Sequence, residues 1–273
     1  GDLELAGTIT DETTKLTLQS DSMLTSQDGW TYKFGTLDLN GSALSVKMAM
    51  SINEPLILVA AGEQILTGTS GLTLNDSLAI SAGKLSSQSG LISFGSTANL
   101  GTDGIIEIQD GTLQLSDNLS IEGGKFNLAD LAELNLNNDV SITSDRALIF
   151  GTLEMNNRNL KVTTTEDAEL NIKKAFNLNN ASNLQLNGTN LTFSETAAIA
   201  GILEPSGGTL TFQKGGSVSG TINSKNSTLV LQTENLVYTG LLKTNSGTTL
   251  SGANLLNLSN GTLEVEGSIN LDN

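Results

Sequence analysis

Among its 273 residues the chain has neither cysteine nor histidine. Without cysteine there is no disulfide framework, no thiolate metal site and no cysteine nucleophile, and the chain is well suited to export. Without histidine the Ser-His-Asp and Cys-His triads, imidazole-based zinc sites and the one side chain that titrates near neutral pH unaided are all excluded. Proline occurs twice, at Pro55 and Pro205, and aromatic residues make up only 4%. Charged residues are 15%, which fits neither a coiled coil nor a charged disordered tail. Basic charge is the scarcer kind: 13 Lys and Arg stand against 29 Asp and Glu, a formal net charge of -16. A nucleic-acid backbone or an anionic membrane is repelled by such a surface, so no nucleic-acid partner is expected. No apolar run approaches the ~18 residues of a membrane helix, and Lys47 and Glu54 interrupt the most hydrophobic stretch. Membrane insertion is therefore not expected. The first residues do not read as a basic, apolar and small-residue leader, so a mature protein or an excised piece is expected.

What the chain does have is a repeat. GTLDLNGSALSV begins at Gly35, GLTLNDSLAIS at Gly71, GTLQLSDNLSI at Gly111, GTLEMNNRNLKV at Gly151, SNLQLNGTNLTF at Ser182 and GTLEVEGSINL at Gly261. Each unit holds two apolar residues one apart, a short polar turn, and two more apolar residues one apart. That is the period-2 signature of a strand with one buried face. Between Leu113 and Val162 the pairs expected to face inward are Leu113 and Leu115, Leu119 and Ile121, Phe126 and Leu128, Leu134 and Leu136. They continue with Val140 and Ile142, Leu148 and Phe150, Leu153 and Met155, Leu160 and Val162.

The spacing chooses among all-β architectures. A hairpin meander wants Asn-Gly or Gly-Gly turns between strands of comparable register, and these linkers vary. Three short strands per turn, with three steps of roughly seven residues, make a coil of about 20. The sequence therefore predicts a single-stranded parallel β-helix, or β-solenoid, of about 13 coils, right-handed as parallel connections usually are. Coils stacked ~4.8 Å apart would give a stem of roughly 60 Å. In such a core Leu and Ile form continuous ladders, and large aromatics are hard to repeat. Asn and Gly suit the corners, where left-handed backbone and stacked carboxamides are useful. The stretches LNGS, LNNDV, MNNRN and LNNAS read as such corners.

One domain, residues 1–273, is expected, with irregular coils or loops near 20–34, 47–66 and 195–208. Pro55 and Pro205 lie in the last two stretches. The opening GDLELAGTIT matches GTLEVEGSIN, residues 261–270, so both ends lie within the repeat. A slice of a longer array, or copies meeting end to end, is expected from strand edges left uncapped.

Few residues carry chemistry. Trp30, Tyr32 and Phe34 alternate and share one strand face, able to stack on a sugar ring or to fill a wider coil. Asp103, Glu107 and Asp110 in GTDGIIEIQDG supply oxygen donors reminiscent of a calcium loop, so calcium is the one cofactor candidate. Acid/base work on a sugar would need a carboxylate pair or a cation beside a developing oxyanion. The candidates are Glu166, Asp167 and Glu169, near Lys161, Lys173 and Lys174 in sequence. Asp145, Arg146 and Arg158 could be brought alongside by coil stacking. Charged turns on a solvated face explain the same residues without catalysis, and no catalytic residue is assigned.

On its GTLxLxGxxLx-apolar units, near-20-residue coils, lack of cysteine, acidity and scarcity of charge, nearly the whole chain resembles the β-helical shafts of bacterial secreted adhesins. These are autotransporter passengers and filamentous-haemagglutinin-like exoproteins. The secretion-domain Asn-Pro-Asn motif and a membrane barrel are absent from the sequence, and no functional residue carries over from such shafts. The resemblance implies a secreted or surface stalk without enzymatic activity. Its partner would be a host or bacterial surface glycan or protein, or neighbouring copies. A carbohydrate-active β-helix (polysaccharide lyase or hydrolase) and a self-assembling fibre segment are the competing functions.

Overall fold

The computed structural model describes residues 3–5, 13–26, 32–165, 168–231, 236–252, 257–258, 261–266 and 268–271. Every regular element among them is a β-strand, and the recorded strand pairs are parallel. The stacked strands form a β-solenoid of about 11 turns, close to the expected coil number. The chain divides into two compact units, Gly1–Asn138 and Asp139–Asn273.

In the first unit, one sheet stacks Tyr32–Phe34, Met50–Ile52, Leu72–Leu74, Leu91–Phe94, Thr112–Leu115 and Glu133–Leu136 in that order. A second sheet contains two unusually long strands, Leu78–Ser87 and Ala98–Ile108, which pair with each other through a register shift after Ile80. Their first halves pair with Leu56–Leu58 and Leu119–Ile121, and their second halves with Gln64–Leu66 and Lys125–Leu128. The long strands thus run through a corner that shorter coils turn with two separate strands. Gly83 allows this: its φ is +101°, and a Cβ there would lie 2.5 Å from the Glu63 carbonyl oxygen.

The second unit repeats three strands per coil. The first sheet stacks Val140–Ser144, Leu160–Thr164, Asn183–Asn187, Ile202–Ser206, Thr221–Ser224, Leu241–Thr244 and Thr262–Val265. The second runs from Leu148–Phe150 through Glu169–Ile172, Asn190–Phe193, Thr209–Phe212 and Thr228–Leu231 to Thr249–Gly252 and Ser268–Leu271. The third stacks Phe176–Leu178, Ala197–Ile199, Gly216–Val218, Leu236–Tyr238 and Asn257–Leu258. Register partners in successive coils are 19 to 24 apart in sequence, so the coil length varies while the register holds.

Alternation decides which side chains enter the core. All sixteen residues expected to face inward between Leu113 and Val162 are buried. In the second unit Leu170, Leu191, Leu210 and Leu229 form one inner column, each fully buried. Aromatic rings do repeat here, because size is traded across the core. The column Ile172, Phe193, Phe212 lies in the same coils as Phe176, Ala197 and Gly216, so a large residue in one column accompanies a smaller one in the other. Phe193 stacks on Phe176 at 5.3 Å between ring centroids and meets Phe212 at 5.1 Å.

The stretches expected to be irregular are largely strands. Residues 47–66 include Met50–Ile52, Leu56–Leu58 and Gln64–Leu66. The turn before Gln64 is held by the buried Glu63, whose carboxylate accepts from the backbone N–H of Val59 (2.5 Å), Ala60 (3.0 Å) and Gly41 (3.3 Å). Within 20–34 lie Ser22–Ser26 and Tyr32–Phe34, and 27–31 fall outside the described residues. Residues 195–208 hold Ala197–Ile199 and Ile202–Ser206, and the irregularity shrinks to one gap in a ladder. Ile202–Ser206 pairs along its whole length with Asn183–Asn187. Towards the next coil, only Ile202 and Leu203 pair before an isolated bridge from Ser206 to Lys225. Pro205 sits in the gap because it has no N–H to give, while its carbonyl still accepts from Lys225 N at 2.9 Å.

At the corners, Asn40, Asn156, Asn157 and Asn226 adopt positive φ between 48° and 61°. The corners LNGS and MNNRN behave as expected. In LNNAS the carboxamide does the work: Asn179 Oδ1 accepts from Ala181 N (3.0 Å) and Ser182 Oγ (3.1 Å). In LNNDV, Asn138 Nδ2 reaches one coil back to the Ser116 carbonyl at 2.9 Å.

Candidate functional site

Because inward residues alternate with outward ones, each sheet carries rows of exposed side chains at one residue per coil. On the first sheet of the second unit one row begins Ser141, Lys161, Gln185, Glu204. It continues through Asn223, which bonds to Glu204, to Lys243 and Glu264. A parallel row, just before the inward pairs, holds Asp139, Asn159 and Asn183.

These groups bond to one another. Glu204 Oε2 accepts from Asn183 Nδ2 and Gln185 Nε2, both at 2.8 Å, and Oε1 accepts from Asn223 Nδ2 at 3.4 Å. Asp139 accepts from the Asn159 backbone N–H at 2.8 Å and from Asn159 Nδ2 at 3.0 Å. Asn159 Oδ1 in turn accepts from Asn183 N at 3.0 Å. Lys243 Nζ lies 3.5 Å from Glu264 Oε2. Asp139, Ser141, Asn159, Lys161, Asn183 and Gln185 line an open groove of about 300 Å³.

The hydrogen bonds set the charge. The Asn183 bond, joined by those from Gln185 and Asn223, holds the Glu204 carboxyl below its ordinary range against the opposing effect of burial. The backbone N–H of Asn159, then its side chain, lowers Asp139 in the same way, and the Arg158 charge adds to it. Glu107 in the first unit is lowered chiefly by its hydrogen bond to Lys84, whose Nζ is 2.6 Å away. A carboxyl whose folded pKa is depressed stabilises the fold above its unfolded pKa, and that contribution disappears as the pH falls through the folded value. Glu204→Gln, which replaces one of the two accepting oxygens by a donating amide NH2 and removes the charge, is therefore expected to lower the melting temperature at pH 7. The difference from the wild type should shrink towards zero below about pH 4, the unfolded glutamate range. Paired thermal melts across pH check this, and a difference that grows on acidification would contradict it.

The residues singled out from sequence are placed differently. Tyr32 and Phe34 do share a face, but it faces inward: they are 0% and 2% exposed and stand in register with Met50 and Ile52. They are core residues, and Trp30 lies outside the described residues. Asp103 and Glu107 belong to one extended strand, Ala98–Ile108, and Asp110 follows it. An extended strand spreads residues by ~3.3 Å each, whereas calcium ligands must curl around an ion. Among the described residues no group of three or more acidic side chains is arranged to hold a metal ion. Asp103, Glu107 and Asp110 are not gathered into such a group.

The charged residues considered for sugar chemistry are also dispersed. Lys161 is on the first sheet and Glu169 on the second, where its carboxylate accepts from Asn171 Nδ2 at 3.3 Å. Lys173 and Lys174 follow the second-sheet strand, and Asp145 and Arg146 follow Val140–Ser144 at the end away from Arg158. Glu166 and Asp167 lie outside the described residues. The Tyr238 hydroxyl, buried without a hydrogen-bond partner, has its pKa pushed up by desolvation and stays neutral within the core.

Of the groove residues, the sequence marks only Lys161 as a candidate for chemistry, while Asp139 and Asn159 fall in the corner stretches LNNDV and MNNRN. A signal does exist: a polar residue directly precedes the inward pair in Asp139-Val140, Asn159-Leu160 and Asn183-Leu184. Comparisons of the chain with protein-family models, curated proteins and solved structures return no match.

Proposed function

We propose that the protein is an extracellular structural and adhesive β-solenoid stalk that mediates surface attachment without catalysis. One observation carries this reading: the outward carboxylates Glu107, Asp139 and Glu204 are each committed to lysine or carboxamide neighbours along a row. Glycosidic chemistry wants two carboxyl groups facing each other across a bond, with one of them raised in pKa. These three are lowered and serve the faces that carry them. A ladder of this kind gives a stiff support and a repeated polar surface, as attachment requires.

The test combines retention with turnover. The protein is incubated with cell surfaces and with insoluble polysaccharides, and the same supernatants are assayed for new reducing ends and unsaturated products. Retention without products is the expected result. Products formed in proportion to protein would replace this reading with a lyase or hydrolase, and Glu169 would be the first residue to substitute.

A further inference from the structure

We infer that the groove over Asp139, Lys161 and Gln185 is a binding site for an extended, neutral, hydroxyl-rich glycan. The inference rests on the attachment reading above and names the class of ligand. Its first support is a fixed wall. Asp139, Asn159, Asn183 and Glu204 form one continuous chain of hydrogen bonds across three coil steps, so the polar groups are held before any ligand arrives.

The second support is unused bonding capacity beside that wall. The Lys161 side chain makes no ion pair or hydrogen bond among the described residues, although the chain carries 29 acidic side chains. Gln185 spends its Nε2 on Glu204 and leaves Oε1 open. Lys161 and Gln185 are direct register partners on adjacent coils, so a free donor stands one strand spacing, ~4.8 Å, from a free acceptor. In the wall, Asn183 Oδ1 is a buried acceptor with no partner. Sugar hydroxyls both donate and accept, and vicinal hydroxyls present the two functions side by side.

The class of glycan follows from charge and repeat. The groove itself holds one carboxylate, Asp139, and one ammonium, Lys161, while the whole chain is at -16. A polyanion is repelled at long range and finds a single cation, whereas a neutral chain incurs no such penalty. The row beyond the groove repeats a polar side chain at every coil, and one coil step is close to the length of one sugar in an extended β-linked chain. A volume of about 300 Å³ suits one or two rings of such a chain, with the others lying along Glu204 and Asn223. An extended peptide added to a sheet edge is not favoured, since both backbone sides of Leu160–Thr164 are already paired.

The experiment is affinity electrophoresis of the full chain through gels containing a neutral β-linked glucan, a neutral mannan or a polyuronate, at low and high salt. Lys161→Ala/Gln185→Ala is compared with Thr211→Ala on the second sheet. Lys161 and Gln185 are exposed and Thr211 is half-buried on an outward position, and thermal melts are run to check that both variants stay folded. The expected result is retardation by a neutral glycan, unchanged by salt, weakened about tenfold in the groove variant and retained in Thr211→Ala. Equal retardation of the groove variant and the wild type would overturn the groove while leaving attachment standing. Preference for the polyuronate, lost at high salt, would overturn the neutral class. Adherence to cells with no retardation by any glycan would overturn this inference alone, and failure in both assays would overturn the attachment reading with it.

Discussion

Phe193→Ala is expected to destabilise the second unit by about 3–5 kcal/mol, the range for truncating a buried phenylalanine. Phe193 is 1% exposed and is the middle ring of three. Its loss removes two ring contacts and leaves a cavity whose walls are held by hydrogen bonds above and below, so collapse is limited. For a unit of this size, such a loss corresponds to a fall in melting temperature of about 10–15 °C. Solenoids need not unfold in one step, so protection of the amides in Glu169–Ile172 and Thr209–Phe212 by hydrogen exchange is the better measurement. Phe193→Leu, which keeps most of the volume, should cost less than half as much. A loss below about 1 kcal/mol for Phe193→Ala would mean that the coils close over the gap and that the size trade across the core is not needed.

That trade was not legible in advance, and the reason is instructive. Alternation identifies which residues share a face, and Leu153 with Met155 or Leu160 with Val162 could be assigned inward because Glu154 and Lys161 between them could not be. It does not rank coils against one another. Whether Phe193 stacks on Ile172 or on some other residue depends on coil length, and the steps from Leu160 to Leu184 and from Leu184 to Leu203 differ. The same uncertainty hid the groove: Lys161 and Gln185 become neighbours only once the longer coil between them is known. Tyr32 and Phe34 show the converse, since an alternating aromatic set reads equally well as a platform or as core. Only the register with Met50 and Ile52 decides it. Pro205 misled in a third way. A proline argues against a central strand, yet a solenoid strand bonds to two different coils. Pro205 weakens one of those ladders and leaves the other whole.

Gly220→Ala is the second substitution with a large expected effect, and here the cause is backbone proximity. Gly201, Gly220, Gly240 and Gly261 each directly precede a first-sheet strand and fall one above another at a corner. A Cβ on Gly220 would lie 2.1 Å from the Gly201 carbonyl oxygen and 2.4 Å from that of Ala200. Neither is a side chain that can swing away, so the two coils must separate. The bonds that resist are Gly220 N to the Ile199 carbonyl and Thr221 N to the Gly201 carbonyl, each 2.9 Å. Overpacking of this kind costs about 1–3 kcal/mol, and weakening two hydrogen bonds adds about 1 kcal/mol each. Gly68 provides the comparison: its φ is +57° but nothing lies within 4 Å of a Cβ there. Gly68→Ala therefore carries only the left-handed backbone penalty of about 1–2 kcal/mol. Urea melts of the two variants should place Gly220→Ala clearly below Gly68→Ala. Gly261→Ala, two coils away, whose Cβ would meet the Tyr238 carbonyl oxygen at 2.8 Å, should act on a separate interface and add nearly in full to Gly220→Ala. That additivity is what nearest-neighbour stacking requires. A double variant no worse than either single one would instead mean that one opened corner releases the others, and that the glycine column behaves as a single hinge.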